Sequence, residues 1–351
     1  MKILVTGGCG FMFSNFIRYM LKKYPNYQII NLDALTYAGR LENTEDFKDN
    51  KNYTFIKGSI CDFGLVNEVM KRVDWVVNAA AETHVDRSIL EPGSFIQTDV
   101  YGTYVLLEAI RKHKIKKAVF ISTDEVYGDM ENKDYAKEND PLRPSSPYAA
   151  SKAGGDLQVM AFRRTYNLPV IITRSSNNYG PYQYPEKIIP LFITNLLENK
   201  KVPVYGDGKQ IRDWLYVDDN SRAIDLVLHK GKVGEIYNIG ANQKPEITNL
   251  ELTKQIIQLC QKDESFIEYV EDRPGHDRRY ALDTTKIRTL GWKPEISLEE
   301  GLEKTVLWYR ENENWWKKIK SGEYLEYYKR QYGQRTRQVK QPYAVDSKYG
   351  V

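Results

Sequence analysis

The chain has 351 residues, 41% of them apolar, and a formal charge of +4 at pH 7. That length suggests one large domain or two interleaved ones with a sizeable core. No run of 18 apolar residues exists to span a membrane, and so slight a charge is weak ground for nucleic acid. Three widely spaced cysteines (Cys9, Cys61, Cys260) and four scattered histidines fit no metal pattern, so no metal is expected. The chain opens on M-K-I-L-V-T-G-G, a strand and glycine turn rather than a signal peptide, and a reducing, cytoplasmic setting is the expectation.

Lys2–Thr6 is a β-branched run that stops at Gly7-Gly8, and Ser14–Lys23 reads as a helix. The turn between them points backbone N–H groups and a helix N-terminus at a phosphate. Gln28–Leu32 is a second strand ending in Asp33, 23 positions beyond Gly10, where a nucleotide-binding unit holds an adenosine ribose. An acid there favours NAD over NADP, because it repels a 2′-phosphate. Tyr53–Lys57 is a third strand, after which Asp62 either caps the next helix or meets the adenine. Val73–Ala79 is a fourth, and the small run Ala79-Ala80-Ala81 lets a cofactor approach. Thr83–Ser88 reads as a polar loop, with His84 a surface or loop histidine and Asp86-Arg87 a local ion pair. Phe95–Lys112 reads as one long helix.

Lys117–Ser122 is the fifth strand, and it feeds V-F-I-S-T-D-E-V-Y-G. Thr123, Asp124 and Glu125 fall at its mouth, where ligands sit in open α/β folds. Ser146-Pro147 starts a helix to about Tyr166 by cap and first-turn preference. Tyr148 and Lys152, four apart, share a face of it, and a nearby ammonium lowers a tyrosine pKa. Each motif alone has a bland reading, as turn residues or an exposed pair. Their order along one chain makes the chemical reading the stronger.

Asn167–Arg174 is a sixth strand, and Ser175–Pro185 has too many turn residues for a regular element, so it reads as a binding loop. Ile188–Leu197, Tyr216–Leu228, Thr248–Cys260 and Ser297 to about Trp315 read as helices, the third closed by Thr248 and Glu251 and the last by Ser297 and Glu300 in capping boxes. Val202–Gly208 is a strand and turn, and Glu235–Gly240 the last strand of the main sheet. The cationic R-P-G-H-D-R-R-Y from Arg273, with Arg212, suits a diphosphate, the alternative being a solvated basic turn. Lys329–Val351 is polar and without periodicity, a tail.

The motifs L-V-T-G-G-C-G-F, D-A-L-T-Y-A-G-R-L-E-N, A-A-E-T-H-V-D-R-S, S-T-D-E-V-Y-G, S-P-Y-A-A-S-K, N-N-Y-G-P-Y-Q-Y-P-E-K, G-D-G-K-Q-I-R-D-W-L-Y-V-D-D and R-P-G-H-D-R-R-Y span Lys2–Trp292. On them the chain resembles the extended short-chain dehydrogenase/reductase family and, within it, the dTDP-glucose 4,6-dehydratases. The resemblance implies an α/β fold: a Rossmann-type doubly wound parallel sheet with a smaller, mainly C-terminal substrate-binding domain. The NAD-binding domain is expected over 1–180, with 213–240 returning to it. The nucleotide-sugar-binding domain is expected over 181–212 and 241–316, followed by an extension over 317–351. A homodimer through the Phe95 and Tyr148 helices is implied, with no nucleic-acid or membrane partner.

Residue roles follow from the same resemblance. Tyr148 takes the proton of the sugar C4 hydroxyl as hydride leaves for NAD, Thr123 holds that oxygen, and Lys152 holds the nicotinamide ribose. Glu125 removes the C5 proton and Asp124 protonates the departing C6 hydroxyl. Around the cofactor the resemblance puts Gly7, Gly10, Phe11, Met12, Asp33, Ile60, Asp62, Ala80, Thr98, Ser122 and Asn178, with Tyr148 and Lys152. Around dTDP-glucose it puts Thr83, Asn177, Glu186, Lys187, Arg212, Asn249, Arg273 and His276. The competing activities are a UDP-glucose dehydratase and a nucleotide-sugar 4-epimerase. The carboxylate pair argues against the epimerase and leaves the base open, and the triplet also argues against the GDP-mannose dehydratases. Departures from the family pattern are Phe13 in place of the last glycine of the turn, Asp99 in place of an asparagine, and everything beyond Trp316.

Overall fold

The computed structural model describes residues 1–130, 134–321 and 323–332. Its first half lays down β1 (Lys2–Thr6), α1 (Phe11–Lys23), β2 (Gln28–Asp33), β3 (Tyr53–Lys57), α2 (Phe63–Met70), β4 (Trp75–Asn78), α3 (Val85–Leu90), α4 (Pro92–Phe95), α5 (Thr103–His113), β5 (Lys117–Thr123), α6 (Pro147–Tyr166) and β6 (Val170–Ser175). The second half adds β7 (Asn177–Tyr179), α7 (Ile188–Leu197), β8 (Val202–Tyr205), β9 (Ile211–Arg212), β10 (Trp214–Tyr216), α8 (Val217–Lys230), β11 (Ile236–Ile239), β12 (Ile247–Thr248) and α9 (Asn249–Leu259). It closes with β13 (Ile267–Val270), α10 (Thr285–Thr289), α11 (Leu298–Glu311), α12 (Glu313–Ile319) and α13 (Glu323–Tyr332).

Seven strands form one parallel sheet in the order β11-β6-β5-β4-β1-β2-β3. Its apolar runs are covered on both faces, as a parallel sheet requires. On one face Phe13, Phe16 and Ile17 of α1 pack with Ile224 and Val227 of α8. On the other Val66 of α2, Leu106 and Ile110 of α5, and Val159 of α6 share a core. This is the doubly wound Rossmann-type arrangement. The chain runs outward from β1 to β3 and then returns to place β4 on the other side of β1. The crevice at that reversal is where such sheets bind ligands.

A third core lies at the carboxyl side of the sheet, built from Phe192 and Ile193 of α7, Leu252 and Ile256 of α9, Leu302 and Val306 of α11, and Trp316 of α12. Short strand pairs frame it, β8 with β13 and β9 with β12. Among the described residues no helix is long and apolar enough to cross a membrane.

Several expectations are corrected. Phe95–Lys112 is not one α-helix: Ile96–Gly102 is a π-helical stretch between α4 and α5. Asp99 within it is buried and hydrogen-bonded to Ser151 Oγ at 2.6 Å. Gly155 of α6 lies so near that a Cβ there would stand 2.8 Å from the Asp99 carbonyl. Packing against α6 thus holds the widened turn. The segment read as a polar loop forms α3 from Val85 onward, and part of the irregular loop after β6 is β7, paired with β10. The last long helix breaks at Asn312, and Glu300 pairs with Lys304 at 2.6 Å instead of closing a box. Part of the supposed tail is α13, while 333–351 lie outside the described residues.

Phe13 resolves its own anomaly. Its ring is buried beneath α1, 5.3 Å from that of Phe16, so it fills the space between α1 and the sheet. Phe13→Gly, which would restore the family's glycine, is expected to destabilise the protein by about 3–5 kcal/mol through the cavity it leaves, read as a lower urea midpoint. Phe13→Leu should lose much less. A glycine variant as stable as the parent would refute this packing role.

Candidate active site

The glycine turn closes the crevice floor. Gly7 has φ +71°, and a Cβ on it would lie 2.8 Å from the Ala80 backbone, so only glycine lets β1 and the segment after β4 come this close. Gly10 caps α1 without a side-chain cap, and no acid stands in the first turn. The positive end of a 13-residue helix is thereby turned to the crevice. At the end of β2 the Asp33 carboxylate accepts from Cys9 N and Leu35 N, each at 2.8 Å, tying the turn to the following loop. Burial raises its pKa against those two donors.

These elements wall a cleft of about 1810 Å³, part of it open to solvent. Gly7, Gly10, Phe11, Met12, Asp33, Ile60, Ala80, Thr98, Ser122, Tyr148, Lys152 and Asn178 all line it. Asp62 is not on the wall: it is exposed and caps α2 through Leu65 N at 3.0 Å. Thr36, Tyr37, Ser59 and Gln183 line the cleft without having been singled out, since loops carry no periodicity to mark them. The glycine cradle and the helix terminus offer N–H donors that suit a dinucleotide's phosphates. Asn177 and Asn178 line the cleft too, each with a buried Oδ1 acceptor that has no partner among the described residues.

β5 delivers its triplet to the same cleft. Thr123 caps a short 3-10 turn, Asp124–Tyr127. Its Oγ1 accepts from Glu125 N at 3.3 Å and donates to Asp124 Oδ1 at 3.0 Å. Asp124 is buried, and its Oδ2 has no partner among the described residues. Burial first, and the neighbouring Glu125 second, push the Asp124 carboxyl up to about 8. Burial also raises Glu125, but Arg273, Lys187 and Arg212 oppose it. Both carboxyls are thus raised by burial, and three cations oppose the rise at Glu125.

The expected lowering of Tyr148 by Lys152 is corrected. Burial holds the phenol well above its ordinary range, Glu125 and Asp99 add to this, and Thr123 opposes them. The Lys152 ammonium instead donates to the Ile121 carbonyl at 2.8 Å.

A second cavity of about 850 Å³ adjoins the first, sharing Glu125, Asn177, Glu186 and Lys187 with it. Arg212, Asn249, Arg273 and His276 line it. Arg212 stacks over Tyr280 at 4.1 Å and donates to the Ile211 and Asp277 carbonyls. Asn249 opens α9 with a buried Oδ1 that lacks a partner among the described residues, as does Arg273 Nε. His276 Nδ1 lies 2.6 Å from Asp272. Thr83 is on the larger cleft, and its carbonyl takes Lys187 Nζ at 2.5 Å.

Glu186 is engaged within the protein: Oε1 accepts from Tyr37 at 2.8 Å and Oε2 from Arg87 at 3.0 Å. The local Asp86-Arg87 pair does not form, because Asp86 meets Arg273 at 3.2 Å. His84, expected at the surface, is buried. The wall also includes Tyr205 and, from α13, Tyr332. Gln331 beside it donates to Asp86 Oδ2 at 2.6 Å and Tyr205 at 3.0 Å. No sequence signal marked α13, whose spacing is polar and aromatic.

Comparison with known proteins agrees with this geometry. A family model described as GDP-mannose 4,6 dehydratase matches residues 4–305. A dTDP-glucose 4,6-dehydratase of Streptomyces niveus is 50% identical over 326 residues, 92% of this chain and 96% of that protein. The crystal structure of dTDP-glucose 4,6-dehydratase from Bacillus anthracis in complex with NAD is 52% identical, with a TM-score of 0.85 over 91% of this chain and 99% of that one. DesIV, the Streptomyces venezuelae enzyme of the same name, with NAD bound, is 48% identical, with a TM-score of 0.88 over 91% and 100%. The chain belongs to this family of nucleotide-sugar dehydratases within the extended short-chain dehydrogenase/reductases.

The shifted Asp124 has a consequence for stability. Its pKa is raised from 3.8 to about 8 on folding, so the unfolded chain ionises first as pH rises. The penalty grows from about pH 4 and levels off above about pH 8. Asp124→Asn should therefore melt higher than the parent at pH 8, with the gap closing toward pH 4. Equal melting temperatures across that range would refute the shift.

Proposed function

We infer that the chain is a dTDP-glucose 4,6-dehydratase. The observation that carries this reading is the adjacent carboxyl pair, Asp124 and Glu125, with Asp124 raised to about 8, in the cleft that also holds Tyr148. An epimerase needs no acid and base for elimination. Cationic and polar groups of the second cavity, Arg212, Arg273, His276 and Asn249, suit the nucleotide diphosphate. The larger cleft suits NAD, which supplies the acceptor for the C4 hydride and returns that hydride to C6.

With positive charge from Lys152 and an oxidised nicotinamide offsetting the burial that holds its phenol up, Tyr148 accepts the proton of the C4 hydroxyl, and Thr123 bonds the same oxygen. A ketone at C4 acidifies C5, whose proton Glu125 removes. Asp124, protonated in its buried site, gives its proton to the C6 hydroxyl, which leaves as water. Glu125 then returns a proton to C5. The product is a 4-keto-6-deoxy sugar nucleotide. A cytoplasmic setting fits an enzyme drawing on NAD and nucleotide sugars.

A homodimer is supported by an apolar stripe on neighbouring helices. Ile96, Tyr101 and Tyr104 are exposed on the π stretch and α5, and Leu157, Met160 and Tyr166 on α6. Replacing both Leu157 and Met160 by Glu should halve the mass seen by sedimentation. An unchanged dimer would place the contact elsewhere.

The chemistry is tested by incubation with dTDP-glucose in heavy water. Loss of one water, a methyl at C6 and deuterium at C5 are expected, and UDP-glucose run in parallel reports base preference. Asp124→Asn should still exchange the C5 hydrogen while losing elimination by about 10²-fold or more. Normal product formation by that variant would overturn the acid role.

A further inference from the structure

The first turn of α6 carries Tyr148, and serine hydroxyls meet both of that residue's peptide groups. Its N–H donates to Ser88 Oγ of α3 at 3.1 Å, and its carbonyl lies 2.8 Å from Ser151 Oγ. Ser151 Oγ in turn lies 2.6 Å from Asp99 Oδ2, on the π-helical stretch packed across α6. All four residues are buried, and neither Ser151 nor Asp99 lines either of the two cavities described above.

A serine hydroxyl has one proton to give. The Tyr148 carbonyl can only accept, so the 2.8 Å contact is a hydrogen bond when Ser151 spends its proton there. The 2.6 Å contact then needs a proton from Asp99, as a carboxylic acid. An ionised Asp99 would claim the Ser151 proton and leave the carbonyl contact without one. Sharing one proton between two acceptors misaligns it with both. The surroundings of Asp99 favour the acid. Among the described residues no cation lies in ion-pair contact with it, and its Oδ1 has no hydrogen-bond partner. A carboxylate there would be buried on a single donor, a costly arrangement. The charged and titratable groups that face it are Lys152 of α6, Tyr148 itself, and Glu82 after β4. Lys152 gives its ammonium to the Ile121 carbonyl instead, and Glu82 is another acid. Burial raises the Asp99 carboxyl, with Lys152, Ser151 and the Glu82 amide opposing.

We propose that Asp99 stands in the folded enzyme as a neutral acid, the donor at the head of a chain that runs through Ser151 to the Tyr148 carbonyl and positions that residue. An asparagine, which the family carries at this place, gives the same bond from its amide. The aspartate keeps the donor by keeping its proton. As an acid it also withholds a negative charge from the Tyr148 phenol, whose rise Asp99 feeds only when ionised. Asp99 meets no reacting atom, so it is a positioning residue. Its effect on turnover rests on the dehydratase reading, in which Tyr148 must meet the C4 hydroxyl. Its protonation state does not.

Infrared difference spectra of the NAD-loaded enzyme at neutral pH, parent minus Asp99→Asn, read the proton directly. Isotopically labelled aspartate separates Asp99 from Glu82. The carbonyl band of a protonated carboxyl is expected, and it should move in Ser151→Ala, where the acid loses the acceptor of its O–H. Carboxylate bands in its place, or a band indifferent to Ser151→Ala, would overturn the inference.

Turnover supplies the second measurement. Asp99→Ala should lower kcat by about tenfold, with KM for dTDP-glucose within about twofold, because the phenol is displaced and the sugar-nucleotide contacts are not. Asp99→Asn, which carries a donor and no charge, should recover most of that loss. An asparagine variant as slow as the alanine one would overturn the donor role, and so would an alanine variant as fast as the parent. Should the alanine variant not fold, the infrared band of the parent still decides. Failure of the wild type to dehydrate dTDP-glucose would count against the dehydratase reading alone.

Discussion

Two carboxyl groups at consecutive positions, pressed into one cleft, cannot both carry charge without a large electrostatic cost. Here the sheet and the carboxyl-side region divide the work of separating them. β5 buries Asp124, which keeps its proton, while the cations that oppose burial at Glu125 come from the other region: Lys187 before α7, Arg212 in β9, and Arg273 after β13. The sheet thus decides where the carboxyls stand, and the cations of the substrate-side region oppose the rise that burial imposes on Glu125. Acid–base competence is a property of the junction between them.

That junction is held by part-buried ion pairs that run in opposite directions from α3. Asp86 reaches Arg273 and Tyr205, and Arg87 reaches Glu186, which also takes the Tyr37 hydroxyl from the loop after β2. Successive residues of a helix do not face one another, so an acid and a base side by side in sequence find different partners. Removing either arginine would leave a buried carboxylate, Glu186 or Asp86, without its cation. These contacts link the loops that wall the cofactor cleft to those that wall the sugar-nucleotide cavity.

Much of this was legible in the chain, for reasons that differ by element. The sheet strands announce themselves as β-branched runs ending in Gly7, Asp33 and Thr123, because burial on both faces leaves little freedom in composition. The cluster at β5 and the pair on α6 were readable because strand mouths and helix faces fix relative position. Elsewhere position depends on contacts distant in sequence. The π stretch around Asp99 exists because α6 presses on it at Gly155, and α3 was hidden by its charged residues. Asp62 offered a choice between cap and ligand that only the fold could make. The Tyr148 phenol was expected to fall because Lys152 is a helical neighbour, but the nearer influences are burial and the carboxyls of Glu125 and Asp99.

α13 has a bearing on biosynthesis. The larger cleft takes its wall from residues up to Trp214, and α8, ending at Lys230, covers one face of the sheet behind it, so that cleft can take shape before α13 is made. The nucleotide-sugar cavity cannot, since Gln331 and Tyr332 finish its wall by joining Asp86 and Tyr205. A nascent or prematurely terminated chain therefore acquires its redox half long before its substrate half. Its sugar site stays unfinished until α13 has been added.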